Sequence, residues 1–369
     1  MLLFYDGFEG LVTGSTSSSS AAGIPLRYSE NVGSGTQLRP ASEITPLSPT
    51  PGTILVGEGA VGDNITAQRL VATHAEGRVG VRLLPFRAGG TIAAGRLFRL
   101  RDNAGNVTHL TIALTTGGEI AVHRGLLTDT LLGTSSGAGL SAASWVYLEV
   151  GYVIDDSSGG VWVKVDGTDV LRLGAYALTP TTLDTRNGGN ASIDAVGFHT
   201  NSTVASNKAC FDDWYVVDTS GSAPYNDFLG DVRVLEIIPD GAGDETDFTP
   251  NAGNNWQAVD EVPGHDGDTS YVESNTAGDE DLYSMTNPAS SATTVYAAKV
   301  VVVARKTDAG DSDLELSLKS GTTTDRVNVG LLSNSYAEYT SVYTANPDGP
   351  AAWTIAALDG VQVGQRVPV

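Results

Sequence analysis

The sequence predicts an all-β chain of two successive β-sandwiches, and three observations predict it. Apolar and polar residues alternate with period two along many short segments, which is the pattern of half-buried strands. Glycine and proline, 44 and 15 of 369 residues, punctuate those segments, while Lys and Glu, which favour helices, are scarce. The length itself exceeds what one hydrophobic core ordinarily supports, so two domains are expected.

In chain order, Met1-Leu2-Leu3-Phe4-Tyr5 is an apolar run without a basic region before it, and reads as an edge of folded structure rather than a leader or a spanning helix. Residues 14 to 23 are rich in Ser, Thr and Gly, and residues 40 to 52 hold four prolines, so both read as loops. Leu110, Ile112 and Leu114 form one face of a strand, as do Val146, Leu148, Val150 and Tyr152. In Val161-Trp162-Val163-Lys164-Val165 the odd positions form one face, and Asp166-Gly167 supplies the positive φ of a type I′ hairpin into Val170–Leu173. Alternation through Phe211-Asp212-Asp213-Trp214-Tyr215-Val216-Val217 places Phe211, Asp213, Tyr215 and Val217 on one face and Trp214 with Val216 on the other. Turn formers at 218 to 224 mark a boundary, giving domains 1–220 and 221–369. The second then restarts with a strand-like Val232–Ile238 and continues through Val295–Ala304, Leu314–Leu318, Val327–Leu331 and Trp353–Ala357 as a smaller antiparallel sandwich.

Charge narrows the partners. A net −22, from 21 basic and 43 acidic residues, argues against nucleic acid, whose phosphates need clustered Lys and Arg. No Lys or Arg lies between Val234 and Ala298, where acids run from Asp240 to Asp281: a solvated face or a place for cations. The single cysteine, Cys210, excludes an intrachain disulfide and reads as a buried thiol among apolar neighbours.

Two motifs match catalytic or cofactor patterns by letter only. Gly57-Glu58-Gly59-Ala60-Val61-Gly62 fits G-x-G-x-x-G, but no helix pattern follows to meet a pyrophosphate, so it reads as a turn. Gly133-Thr134-Ser135-Ser136-Gly137 fits the nucleophile elbow without the helix, His and acid that would make it work, so it reads as a loop. The five histidines, His74, His109, His123, His199 and His265, show no zinc spacing. Calcium, which takes oxygen ligands, is the ion this composition admits, with Asp266 and Asp268 in one cluster and Asp308, Asp311 and Asp313 in another; neither fits an EF-hand. Of the five tryptophans, Trp145, Trp162, Trp214, Trp256 and Trp353, most are expected in the core, and Trp256, among asparagines and acids, is the candidate exposed ring for a ligand such as a sugar.

Several runs together resemble a known family. Phe4-Tyr5-Asp6-Gly7-Phe8-Glu9-Gly10, the pair Trp145–Ile154 with Val161–Leu173, and Ala191–Phe198 before Phe211–Val217 resemble a concanavalin-A-like, laminin-G-like jelly roll. That resemblance implies a first strand lying against the last. Tyr225–Val234 and the ending from Trp353 to Gly364 look like the continuation seen in tailed-bacteriophage virion proteins. The implied function is a non-enzymatic virion component, a tail fibre or tail-tip protein that contacts the host surface. The alternatives are a capsid decoration or head-fibre protein, or a carbohydrate-binding receptor-recognition module. The implied partners are further copies of the chain in a homotrimer or ring, other phage tail or capsid proteins, and a host surface glycan. Membrane insertion is not expected, and the implied location is the virion, assembled in the host cytoplasm. An enzyme reading, a glycan depolymerase with carboxylates about 5 to 9 Å apart, finds no pair that sequence can place on one cleft.

Overall fold

A computed structural model describes residues 1–7, 36–40, 53–58, 65–88, 91–92, 94–137, 139–141, 144–199, 208–261, 265–288 and 292–369. The chain is all-β and divides into two compact units, Met1–Val234 and Leu235–Val369. The loop expected at 14 to 23, all but Pro40 of the one expected at 40 to 52, and Gly59 to Gly62 of the glycine motif lie outside the described residues; Pro40 ends one strand, not a loop, and Gly57 and Glu58 end another.

The N-terminal unit contributes β1 (Leu2–Asp6), β2 (Thr36–Pro40), β3 (Thr53–Glu58), β4 (Ile65–His74), β5 (Glu76–Ala88), β6 (Thr91–Ile92), β7 (Gly95–Asp102), β8 (Val107–Leu114), β9 (Ile120–Arg124), β10 (Thr130–Thr134), β11 (Val146–Val153), β12 (Gly160–Val165), β13 (Thr168–Gly174), β14 (Ile193–His199) and β15 (Lys208–Asp218). They form a nine-stranded sheet in the order β13-β12-β11-β5-β15-β3-β2, with β1 on β15 and β6 on β5, and a six-stranded sheet in the order β10-β9-β8-β7-β14-β4. Every named pair is antiparallel. β1 runs against β15, Leu2 opposite Val217 and Asp6 opposite Trp214, so first and last strands close the sandwich as expected.

The core lies between the two inner faces. Val79, Val81, Leu148, Val150, Val161 and Val163 come from one sheet, and Phe98, Leu100, Leu110, Ile112, Val122 and Phe198 from the other. Period two therefore holds on β8, β11 and β12 as the sequence predicts, and Asp166 (φ 49°) with Gly167 (φ 76°) makes the hairpin turn between β12 and β13. On β15 it fails. The pairing of β15 with β5 shifts between Asp212 and Tyr215, and Asp213 takes φ 46°. This bulge turns the phase, so Phe211 faces inward with Trp214 and not outward with Tyr215. Phe198 accordingly meets both Phe211 (5.0 Å) and Trp214 (4.8 Å, edge to face). Cys210 is a buried thiol, as expected.

The C-terminal unit contributes β16 (Pro239–Thr246), β17 (Thr249–Pro250), β18 (Val272–Glu273), β19 (Glu280–Met285), β20 (Ala298–Ala304), β21 (Asp313–Ser320), β22 (Thr323–Leu331), β23 (Ala337–Tyr343) and β24 (Gln362–Arg366). A five-stranded sheet, β16-β19-β24-β21-β22, is accompanied by the ribbons β17-β18 and β20-β23. Leu314, Leu316 and Leu318 pack with Val300, Tyr343, Trp353 and Val361 as its core. Two expected strands are corrected. Trp353–Ala357 is not a strand: Thr354 accepts a hydrogen bond from the Ala357 amide and starts a short helix, Ile355–Leu358. Val232–Ile238 is not one either, because side chains of the N-terminal unit bind its first backbone groups.

Candidate functional site

Alternation on β12 turns Trp162 and Lys164 to the outer face of the nine-stranded sheet while Val161 and Val163 enter the core. The register then sets Arg172, Trp162, Gly151 and Arg78 in one row across β13, β12, β11 and β5. The Arg172 guanidinium lies 4.0 Å from the Trp162 ring centroid and the Lys164 ammonium 4.8 Å from it. Tyr176 (5.9 Å) and Phe228 (4.9 Å, edge to face) complete a trio of rings, with Arg78 5.1 Å from Tyr176 and 5.2 Å from Phe228. In a chain of net charge −22, three cations thus gather on three aromatic rings.

Acids at the rim fix these groups. The Trp162 indole donates to Asp169 (2.7 Å), which also accepts from Arg172, and Tyr176 donates to Glu76 (2.7 Å) while accepting from Arg78 (2.8 Å). Burial would raise the Asp169 carboxyl, but the indole and guanidinium donors hold it below the usual carboxylate range. Such a surface offers an apolar ring, cationic donors and carboxylate acceptors at once. Those are the contacts that a sugar ring carrying hydroxyl and anionic groups can use.

The segment Tyr225–Val234 crosses the same face as a strap. Phe228 sits over Gly151, where a Cβ would come within 3.0 Å of the phenyl ring. Beyond it the Leu229 amide donates to the Tyr215 hydroxyl (3.0 Å) and the Gly230 amide to Glu149 (2.9 Å). Arg82 donates to Asp231 and to the Val232 carbonyl (3.2 Å), and the Val234 amide donates to Asp213 (2.8 Å). Beneath the strap, Arg82 pairs with Asp213 at 2.8 Å, Tyr215 donates to Glu149 at 2.5 Å, and the Tyr147 hydroxyl donates to the Asp213 carbonyl at 3.0 Å. Burial lifts the Glu149 carboxyl above its ordinary value despite these donors. Glycine at 80 is required because the Tyr215 ring lies where a side chain would go. The strap carries the N-terminal unit past residue 220, to Val234.

The residues singled out from sequence in the second half belong to the C-terminal unit. Trp256 lies in the short 3₁₀ turn Asn255–Ala258 and is half-buried, not an open ring. Asp266 accepts from the Ser270 hydroxyl (2.9 Å), and Asp268 accepts from Arg305 (2.8 Å) and the Tyr336 hydroxyl (2.7 Å). Those donors hold Asp268 below the usual carboxylate range. Asp308, Asp311 and Asp313 are exposed, and Asp313 accepts a long bond from Asn328 (3.4 Å). Among the described residues no three His, Cys, Asp or Glu side chains form a group that could hold a metal ion. The Gly133–Gly137 segment passes from β10 into irregular chain, and the Ser135 hydroxyl accepts from the Ile120 amide (2.9 Å). Trp214 and Trp353 are core residues and Trp145 is half-buried. Trp162 was legible as an outward residue from the alternation on β12; its neighbours Tyr176, Phe228 and Arg78 are distant in sequence and carried no such signal.

No helix among the described residues is long and apolar enough to cross a membrane. No family model matches the chain, and no curated protein matches it. Among solved structures it is similar to the carbohydrate-binding module CBM66 from Bacillus subtilis, at 8% identity over 44% of this chain and 85% of that one, with a TM-score of 0.30. It is also similar to an endo-1,3-beta-glucanase from Streptomyces sioyaensis (12% identity, 58% of this chain and 95% of that one, TM-score 0.33). A third likeness is to Trypanosoma rangeli sialidase (11% identity, 62% and 31%, TM-score 0.30), of whose length the match covers less than a third. Likenesses this distant carry no argument about what this chain binds or does.

Proposed function

We propose that this chain is a non-enzymatic structural component of a tailed-phage virion, of the tail-fibre or tail-tip kind, that meets the host surface through its N-terminal sandwich. The observation that carries the reading is the closure of that sandwich by β1 on β15, followed by the strap Tyr225–Val234 on the same sheet. These are the segments on which the resemblance to phage proteins with a jelly-roll domain rests. Support for a binding role comes from how the acids are used: Asp213, Glu149 and Asp169 are each engaged by donors that hold the fold. The test is a purified particle labelled at either terminus and imaged at low resolution. Label on the tail is the expected result, label on the head favours the decoration or head-fibre role, and a particle without the chain overturns the proposal. Release of reducing sugar from host capsule by the purified protein would overturn the non-enzymatic part.

A second reading, recognition of a host glycan, is favoured by the aromatic and cationic face around Trp162. A glycan array probed with the full chain tests it. Retention on acidic sugars that Trp162→Ala abolishes is expected, and silence across the array removes this reading and leaves the scaffold role.

A further inference from the structure

We propose that Phe228 is a built-in plug of the aromatic and cationic face, and that release of the strap Tyr225–Val234 opens that face to an anionic polysaccharide. The inference rests on the glycan reading above and names its ligand class and its gate. Phe228 stands where a pyranose ring would stack, edge-on to Trp162 at 4.9 Å and over the bare backbone of Gly151. The Lys164 ammonium lies 4.7 Å from Phe228 and 4.8 Å from Trp162, and makes no hydrogen bond or ion pair with a described residue. The Glu149 and Asp169 carboxylates, opposite it on the neighbouring strands, act on its charge without accepting a hydrogen bond from it, so it is the cation of the cluster with a donor left for a ligand anion. Arg78 is committed to Gly77, Tyr176 and Glu76, and Arg172 to Asp169. Lifting Phe228 uncovers the Trp162 ring, Lys164 and Gly151 together. A sugar bearing a carboxylate can then lay its apolar face on the indole and its charge on the ammonium.

The strap is held in a way that permits release. Apart from the half-buried Phe228 and the buried Leu229 next to it, it is fixed by discrete polar contacts and not by a ladder of strand pairing. Asp231, one anchor, is 52% exposed, so its pairing with Arg82 is open to competing water and ions. A closed strap lowers apparent affinity by the fraction of molecules that are open; if about one molecule in ten is open, full release tightens binding about tenfold.

The experiment compares the full wild-type chain with Phe228→Ala and, independently, Asp231→Asn, using polygalacturonate as the carboxylated probe and dextran as the neutral one. Hydrogen exchange at the Leu229 and Gly230 amides reports whether each variant has freed the strap in an otherwise folded protein. The expected result is faster exchange there, with polygalacturonate bound about tenfold more tightly by Phe228→Ala and dextran ignored. Adding Trp162→Ala should abolish the gain. Equal or weaker polygalacturonate binding by Phe228→Ala overturns the gate while the glycan reading stands. Binding by none of the proteins overturns both.

Discussion

The outer face of the N-terminal sheet and the acidic surface of the C-terminal unit hold the same kinds of side chain and use them differently. Arg82 and Asp213, at 4% and 0% exposure, form an ion pair under the strap. Arg305 and Asp268 also form an ion pair, supported by Tyr336, but at 32% and 64% exposure. A pair removed from water becomes part of the architecture, because losing one partner strands a charge in a place water cannot reach. A pair at the surface exchanges freely with solvent. The contrast teaches that the acid count of this chain says little until burial is known.

The largest effect that would sharpen the contrast is in the cores. Trp214→Ala should cost about 3–5 kcal/mol, since the ring is fully buried against Phe4, Phe198 and Val216. Calorimetry should show the transition of Met1–Val234 moving down while that of Leu235–Val369 stays; a shift of both would break the division into two units. Next, Arg82→Ala should destabilise the N-terminal unit by about 3 kcal/mol in urea unfolding, because the buried Asp213 carboxylate loses its guanidinium counter-charge. Arg305→Ala should leave the midpoint of the C-terminal unit where it was. Equal losses for the two would remove burial as the deciding variable.

A smaller loss, about 1–3 kcal/mol, is expected for Gly80→Ala, whose methyl group meets the Tyr215 ring. The smallest effect is a slope. Glu149 holds its proton more tightly when folded than when unfolded, because burial raises its folded value. Its contribution to stability is therefore complete below the ordinary carboxylate range and is lost as pH rises through the raised folded value. Glu149→Gln keeps an acceptor for the Tyr215 hydroxyl and the Gly230 amide and has no proton to lose. Wild type should fall relative to the variant across that window, and a difference that does not change with pH would show that the buried carboxyl is not the source.

Much of the fold was legible because strands declare themselves locally. Val161, Val163, Leu110 and Ile112 sit inward as their spacing predicts, and Asp166-Gly167 turns where two positive φ values are needed. Phe211 misled because a bulge at Asp212 and Asp213 changes the phase, and nothing in the alternation marks a bulge on a strand apolar on both faces. Val232–Ile238 misled for a related reason: β-branched residues read as a strand, yet Val232 and Val234 are bound by the side chains of Arg82 and Asp213 and Ile238 by Thr286, all far away in sequence. The candidate site was half legible. Trp162 was turned outward by its neighbours, but its surroundings come from five separate segments that only the tertiary structure brings together. Trp256 was chosen for its polar flanks, and the 3₁₀ turn that half-covers it leaves no such trace.

The order of contacts along the strap also fixes how the N-terminal unit would yield under load. Tension applied from the Leu235 side reaches the Val234 bond to Asp213 first, then the two Arg82 contacts, then Gly230 and Leu229, then Phe228, and last the Asp227 pairing with Arg78 and the Tyr225 carbonyl held by the Met1 amine. Bonds met singly part at low force, like a zip, whereas β1 lies along β15 in a ladder whose bonds share a lengthwise pull. Under such a pull the strap would let go well before the sandwich, and the pull would itself uncover Trp162.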